Sequence, residues 1–337
     1  KVAAEKIPSW WEIEKIWYPK HLSLEQCSSE ITARYKARLL QGDSLTDLTG
    51  GFGIDCSFLA TGFKSATYVE RQEELCEIAA HNFPILNLNH INVRNEDGVA
   101  YLQTMSPVDC IFLDPARRNE HGGKTVSIAD CEPNVAELED LLLSKASRIM
   151  IKLSPMLDLS LALKELKHTQ EVHILSVNNE CKELLILLGQ TSPAEITIHC
   201  VNLFTKGTQE EQHFVFTREQ EQRSQCTYTD SLGDYLYEPN ASLLKAGAFR
   251  SIAAAYPVRK LHPNSHLYTS DTFIENFPGR IFRIVNQCSF NKKEVKENLA
   301  DLKKANVTVR NFPATVAELR KRLHLTCLLY TSPSPRD

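Results

Sequence analysis

The sequence predicts an α/β fold: a mainly parallel sheet covered by helices on both faces, preceded by a helical segment and followed by a small α+β domain. Three observations carry this prediction. From about residue 42 to 217, short β-branched or apolar runs alternate with helical patterns. A glycine turn, D-L-T-G-G-F-G-I-D at 47–55, closes the first run. Charge changes sign towards the C-terminal third. Alternating strand and helix patterns build right-handed βαβ units, whose parallel strands are buried on both faces.

Taken in order, residues 23–41 open with Ser23 and place Leu24, Cys27, Ile31, Tyr35 and Leu39 at three- and four-residue steps, the spacing of an amphipathic helix. Upstream, Trp10, Trp11, Trp17, Tyr18 and Pro19 read as an aromatic-rich connection to a preceding portion, so 1–41 is expected to be a truncated helical segment. Strands are expected at 44–48, 66–70, 90–93, 108–114, 148–153, 171–177 and 195–201, with a last edge strand at 213–217. Helices fall at 71–83 and 134–146, and a helix-like stretch follows Asn178, Asn179 and Glu180. Polar sequence places a linker over 218–238. The domain over 239–326 then reads as a helix at 239–255, a Pro-containing segment at 257–272, a strand at 280–285, a helix at 292–305, a strand at 307–310 and a helix at 315–323. The end, C-L-L-Y-T-S-P-S-P-R-D at 327–337, resembles one reading frame of a sequencing adapter and is expected to be no part of the fold.

With 42% hydrophobic and 24% charged residues over 337, the chain has the balance of an ordinary globular protein able to bury one or two cores. Its ten cysteines stand singly, with no C-x-x-C pair and no Cys/His ligand spacing, which argues against a disulfide framework and a zinc site. No metal is expected, and a reducing cytoplasm is the expected home. No run reaches the roughly 18 apolar residues of a membrane span. Residues 239–326 carry fifteen Lys and Arg against six Asp and Glu, whereas 1–238 carry twenty-two against thirty-five. Such asymmetry fits a polyanion-binding module on an acidic domain, or else ordinary solvated helix faces.

The glycine turn narrows the chemistry. Gly51 and Gly53 leave backbone N–H groups open to a ligand, but Cys56 stands where a dinucleotide fingerprint needs its third small residue. Acids recur at the ends of successive strands: Asp47, then Glu70 seventeen residues after Gly53, then Asp97, then Asp114. In a doubly wound sheet these ends converge on one crevice.

The order Asp47/Gly51/Gly53, Glu70, Asp97, Asp114 resembles motifs I to IV of class I S-adenosylmethionine (SAM) methyltransferases, so a Rossmann-like methyltransferase sheet is expected over 42–217. The closer resemblance is to bacterial members with a C-terminal THUMP-like, ferredoxin-like domain. It rests on L-S-L-E-Q-C-S-S-E-I-T-A-R-Y-K at 22–36, the glycine turn, L-D-P-A-R-R at 113–118, Y-E-P-N-A-S-L-L-K-A-G-A-F at 237–249 and L-H-P-N-S-H-L-Y-T-S-D at 261–271. The resemblance implies SAM held by Asp47, Thr49, Gly51, Gly53, Asp55, Glu70, Asp97 and Asp114. It also implies an RNA-directed accessory domain.

Position 114 should show the reaction. D-P-A-R puts Ala116 and Arg117 where amine methyltransferases carry an aromatic that stacks on a flipped base. It looks more like the uridine C5 enzymes, yet I-K-L-S-P at 151–155 lacks the cysteine nucleophile they require. The expected chemistry is therefore direct methyl transfer to a nitrogen or oxygen, with Asp114, Pro115 and Arg117 as catalytic candidates. Arg118, Lys124, Lys152, Arg259, Lys260, Arg280, Arg320, Lys321 and Arg322 are candidates for substrate or RNA. A non-catalytic SAM- and RNA-binding scaffold, and a small-molecule methyltransferase, remain open alternatives.

Overall fold

A computed structural model describes residues 1–117 and 127–327, without the side chains of His21, Leu22, Ser23 and Arg117. The chain divides into two compact units, Lys1–Glu219 and Gln220–Asp337.

The first unit is built on a nine-stranded sheet. Its strands are β1 (Ser44–Asp47), β2 (Ser65–Glu70), β3 (Ile91–Asn95), β4 (Val108–Leu113), β7 (Ala146–Leu153), β8 (Thr169–Val177), β9 (Glu180–Gly189), β10 (Thr197–Leu203) and β11 (Glu211–Thr217); a two-residue pair, β5 (Ala116–Arg117) and β6 (Cys131–Glu132), stands apart from it. The order β11-β10-β8-β9-β7-β4-β1-β2-β3 places β4 and β1 side by side, with β7 beyond β4 and β2 and β3 beyond β1. There the chain reverses its direction of travel across the sheet, and the carboxyl ends of neighbouring parallel strands open a crevice. Strands β3, β2, β1, β4 and β7 pair in parallel. The second half of β4 is continuous apolar sequence, with Cys110, Ile111, Phe112 and Leu113 all nearly inaccessible.

The expected helix-like stretch after Asn178 is instead β9, which runs antiparallel between β7 and β8. Asn178 and Asn179, with φ of 49° and 66°, form a two-residue turn between Val177 and Glu180. Asparagine tolerates that left-handed backbone, and such a turn matches the twist of a hairpin. The apolar run Leu184–Leu188 then fills the middle of the sheet.

The helix expected over 23–41 is interrupted: it comprises His21–Gln26 and Glu30–Ala37, with Ser28 buried between them. The aromatic segment ahead of it docks on the glycine turn. Trp10 is 3% exposed and meets Phe52 edge-on at 5.2 Å. Ala3, Ile7, Trp10, Ile16 and Leu24 share one core with Phe52 and Ile54, so the N-terminal segment buttresses the turn.

In the second unit a four-stranded antiparallel sheet has the order β13-β14-β12-β15, from β12 (Tyr235–Pro239), β13 (Arg259–His262), β14 (Ser265–Ser270) and β15 (Gly279–Arg283). β12 lies within the span expected to be linker, as does the short helix Arg218–Arg223. The expected helix over 239–255 is two helices, Ala241–Ala246 and Phe249–Ala255, broken where Gly247 adopts φ 74°. Helices Lys292–Leu299 and Val316–Leu323 follow. No strand forms at 307–310; a single bridge, Lys304 to Thr326, is the only pairing nearby among the described residues. The expected adapter-derived tail, apart from Cys327, lies outside the described residues.

Candidate active site

At the carboxyl ends of β1, β2 and β4 a cavity of about 460 Å³ is lined by the whole glycine turn and by Asp47, Asp55, Glu70, Asp97, Asp114 and Glu132, against the single guanidinium of Arg71. Gly51 and Gly53 have φ of 55° and 88°, a backbone that glycine adopts without a steric cost. Gly50 is needed for a different reason: a Cβ there would sit 2.3 Å from the buried Tyr68 ring. The Tyr68 hydroxyl in turn donates to the Gly51 carbonyl.

The acids are held individually. Asp47 is 1% exposed and accepts from the Thr49 amide at 3.0 Å; burial, reinforced by Asp55, Asp114 and Glu70, pushes its carboxyl up to about 8. Glu70 accepts from the amides of Gly51 and Gln72, each at 2.9 Å, tying β2 to the turn. Asp97 caps the helix Gly98–Thr104, its Oδ1 accepting from Val99 and Ala100. The Asp114 amide donates to Thr49 Oγ1 at 2.7 Å, which joins the ends of β4 and β1. Asp114 keeps 39% of its side chain open, into the cavity that it lines, and pairs with Lys152 Nζ at 2.7 Å. Burial raises the Asp114 carboxyl despite that cation. Burial works against the Lys152 ammonium too, but Asp114, Asp55 and Glu183 outweigh it and hold it above the usual lysine range.

Behind the cavity lies a buried charge network that the sequence reading did not identify. Lys36, inaccessible to solvent, donates to Ser28 Oγ and Glu183 Oε2, both at 2.8 Å, and lies 2.7 Å from Asp55 Oδ1. Ser28 Oγ also donates to Asp55 Oδ2 at 2.7 Å. Burial would raise Asp55, and Lys36 with Lys152 overcomes it, leaving the carboxyl below its usual range. Ser28 and Lys36, both within 22–36, are two members of this network.

A second cavity, about 820 Å³, shares Gln26, Cys27 and Ser28 with the first. Lys6, Arg34, Lys152 and Lys182 are among its lining.

The structure thus brings Asp47, Thr49, Gly51, Gly53, Asp55, Glu70, Asp97 and Asp114 to one cavity. Pro115 is buried behind Asp114 and does not line it. Arg118, Lys124 and the Arg117 side chain lie outside the described residues. Lys152 is 12% exposed, pairs with Asp114 and also lines the second cavity. Lys260 is a correction. It is 1% exposed, and its Nζ donates to the carbonyls of His262, Pro263 and Ser265. An ammonium spent on three loop carbonyls cannot meet a phosphate. Arg259 pairs with Asp271 at 3.3 Å and Arg280 with Glu238 at 2.8 Å, while Arg320 is half-buried and Lys321 and Arg322 are exposed.

Comparison with known proteins agrees with this architecture. Residues 235–278 match a ferredoxin-like domain and 279–334 a THUMP domain-like family. A "putative methyltransferase" from Porphyromonas gingivalis W83 is 38% identical with a TM-score of 0.88, covering 96% of this chain and 81% of that one. The chain belongs to that family, bacterial proteins that join a class I methyltransferase domain to ferredoxin-like and THUMP-like C-terminal segments. An rRNA methylase from Streptococcus thermophilus is 15% identical with a TM-score of 0.35, covering 47% of this chain and 93% of that one. A "putative methyltransferase" from Streptococcus mutans, in complex with SAH, gives 12% and 0.34 over 48% and 96%. Likenesses that slight say nothing of this chain's chemistry. No curated protein matches the sequence.

Proposed function

We propose that the chain is a SAM-dependent methyltransferase that acts on RNA by direct transfer to a nitrogen or oxygen. The observation that carries the cofactor is the charge of the first cavity: beyond Asp55 and Asp114, which Lys36 and Lys152 pair, it is lined by Asp47, Glu70, Asp97 and Glu132 against the one guanidinium of Arg71, and Asp47 is pushed to about 8. A site of this kind favours a ligand bearing positive charge, which SAM supplies twice, as an ammonium and a sulfonium. The open glycine turn admits the rest of the molecule. The residues present therefore fit the cofactor.

When bound, SAM supplies an electrophilic methyl group. Asp47 would take the ammonium, Glu70 the ribose hydroxyls and Asp97 the adenine amino group. Asp114, fixed by Lys152, accepts a hydrogen bond or proton from the acceptor atom at the rim. The acceptor enters through the second cavity, which shares Gln26, Cys27 and Ser28 with the first. RNA as the acceptor is supported by the basic excess over 239–326 and by the THUMP-like match.

Transfer of label from SAM to total RNA of a strain lacking the protein tests the proposal. Incorporation that depends on Asp114 is the expected result; none with the wild-type chain would refute it.

A further inference from the structure

Away from the cavity, one face of the sheet carries a cluster that the methyltransferase reading does not use. We propose that Glu171, His173 and His199 form a site for one divalent transition-metal ion of the zinc, cobalt or nickel class, clamping β8 to β10.

The three side chains come from paired strands. Glu171 and His173 are two apart on β8, so they share a face, and His199 on β10 stands in register with His173. Glu171 Oε1 lies 3.4 Å from His173 Nε2 and 3.4 Å from His199 Nε2. One donor atom from each residue falls within 4.8 Å of the others. Ligands bound at about 2.0–2.1 Å around a tetrahedral centre stand roughly 3.3 Å apart, which the two Glu171 distances already match.

His173 gives the independent sign of a ligand. It is 2% exposed, and its Nε2 meets Glu171 Oε1 at a long 3.4 Å, outside good hydrogen-bond geometry. An ion bound between the two would satisfy that weakly met buried atom.

Each proposed ligand is held from behind, as ligands usually are. Tyr35 Oη contacts His173 Nδ1 at 2.7 Å. His213 Nε2 contacts His199 Nδ1 at 2.9 Å. Arg148 donates to the other oxygen of Glu171 at 2.7 Å. As they stand, the His173 and His199 rings lie parallel, 4.1 Å and 5° apart. Ring nitrogens ligate in the ring plane, so one ring must turn; His199, 18% exposed in its side chain, is the freer, and its contact with His213 must re-form as it turns. Two imidazoles and a carboxylate leave a solvent-facing position open and favour late first-row ions over magnesium or calcium.

The test uses the full chain without a histidine tag, stripped with chelator and titrated with Co²⁺, then Zn²⁺. The expected result is one equivalent of cobalt with visible ligand-field absorption, displaced by zinc. Zinc at a hundredfold over its Kd should raise the thermal midpoint by roughly 5 °C. Glu171→Gln and His199→Ala, both partly exposed and so compatible with folding, should each weaken binding at least about tenfold. Failure of the wild-type chain to bind either ion at about 0.1 mM would overturn the proposal. So would unchanged binding in both variants.

Discussion

Replacing Asp47 by Asn should make the ligand-free protein more stable while weakening its hold on SAM. Asp47 is 1% exposed, and its carboxyl is pushed from 3.8 to about 8, with burial the largest cause. This is a raised acid, so the folded state keeps a proton that the unfolded chain releases above about pH 4. Folding stability from this group is therefore greatest below the unfolded value, declines as pH rises from about 4 to about 8, and is flat beyond. About four units at 1.36 kcal/mol each set a ceiling near 6 kcal/mol; with dielectric relaxation, about 2–4 kcal/mol at pH 8 is expected. Asn keeps the acceptor for the Thr49 amide, so little else is lost. Urea unfolding of both proteins at pH 5, 6, 7 and 8 measures the gap, which should widen with pH and close when saturating SAM pairs with the wild-type carboxylate. A gap that is absent at pH 8, or independent of pH, would refute the account of Asp47.

Lys36→Met leaves Glu183 buried without its nearest cation and Asp55 with Lys152 alone at 3.8 Å, and should cost about 3–5 kcal/mol by chemical denaturation; a loss under 1 kcal/mol would mean the network is slack. Gly50→Ala drives a Cβ into the Tyr68 ring, and should lower stability by more than about 1–3 kcal/mol, read as a fall in thermal midpoint. In RNA binding across a salt series, Lys321→Ala and Arg322→Ala should each reduce the slope by about 0.7–0.9. Lys260→Ala should destabilise the second unit and leave that slope unchanged, because its ammonium is spent on the carbonyls of His262, Pro263 and Ser265. An equal effect of all three on the slope would contradict the placement of Lys260.

The alternation of apolar runs with helical patterns made the parallel half of the sheet legible, since its strands are short, buried and separated by well-formed helices. β9 was not legible from that pattern: L-L-I-L-L satisfies a buried helix as well as a buried strand. The Asn178–Asn179 pair held the missing signal, a two-residue turn between two runs. The cavity acids were readable because each follows a strand. Lys36 was not, because its partner Glu183 lies on the misread strand and the contact spans 147 positions. Lys260 misled for a related reason: charge counts weigh a buried lysine like an exposed one. The Glu171, His173 and His199 group has no ligand spacing in sequence, because strand register alone brings it together.

Calorimetric titration of the full chain with SAM tests the central claim most directly. The predicted result is one saturable site per chain, weakened at least about tenfold by Glu70→Ala and again by Asp47→Asn. No saturable binding at millimolar SAM, or binding untouched by either substitution, would contradict the assignment of the acidic cavity to the cofactor.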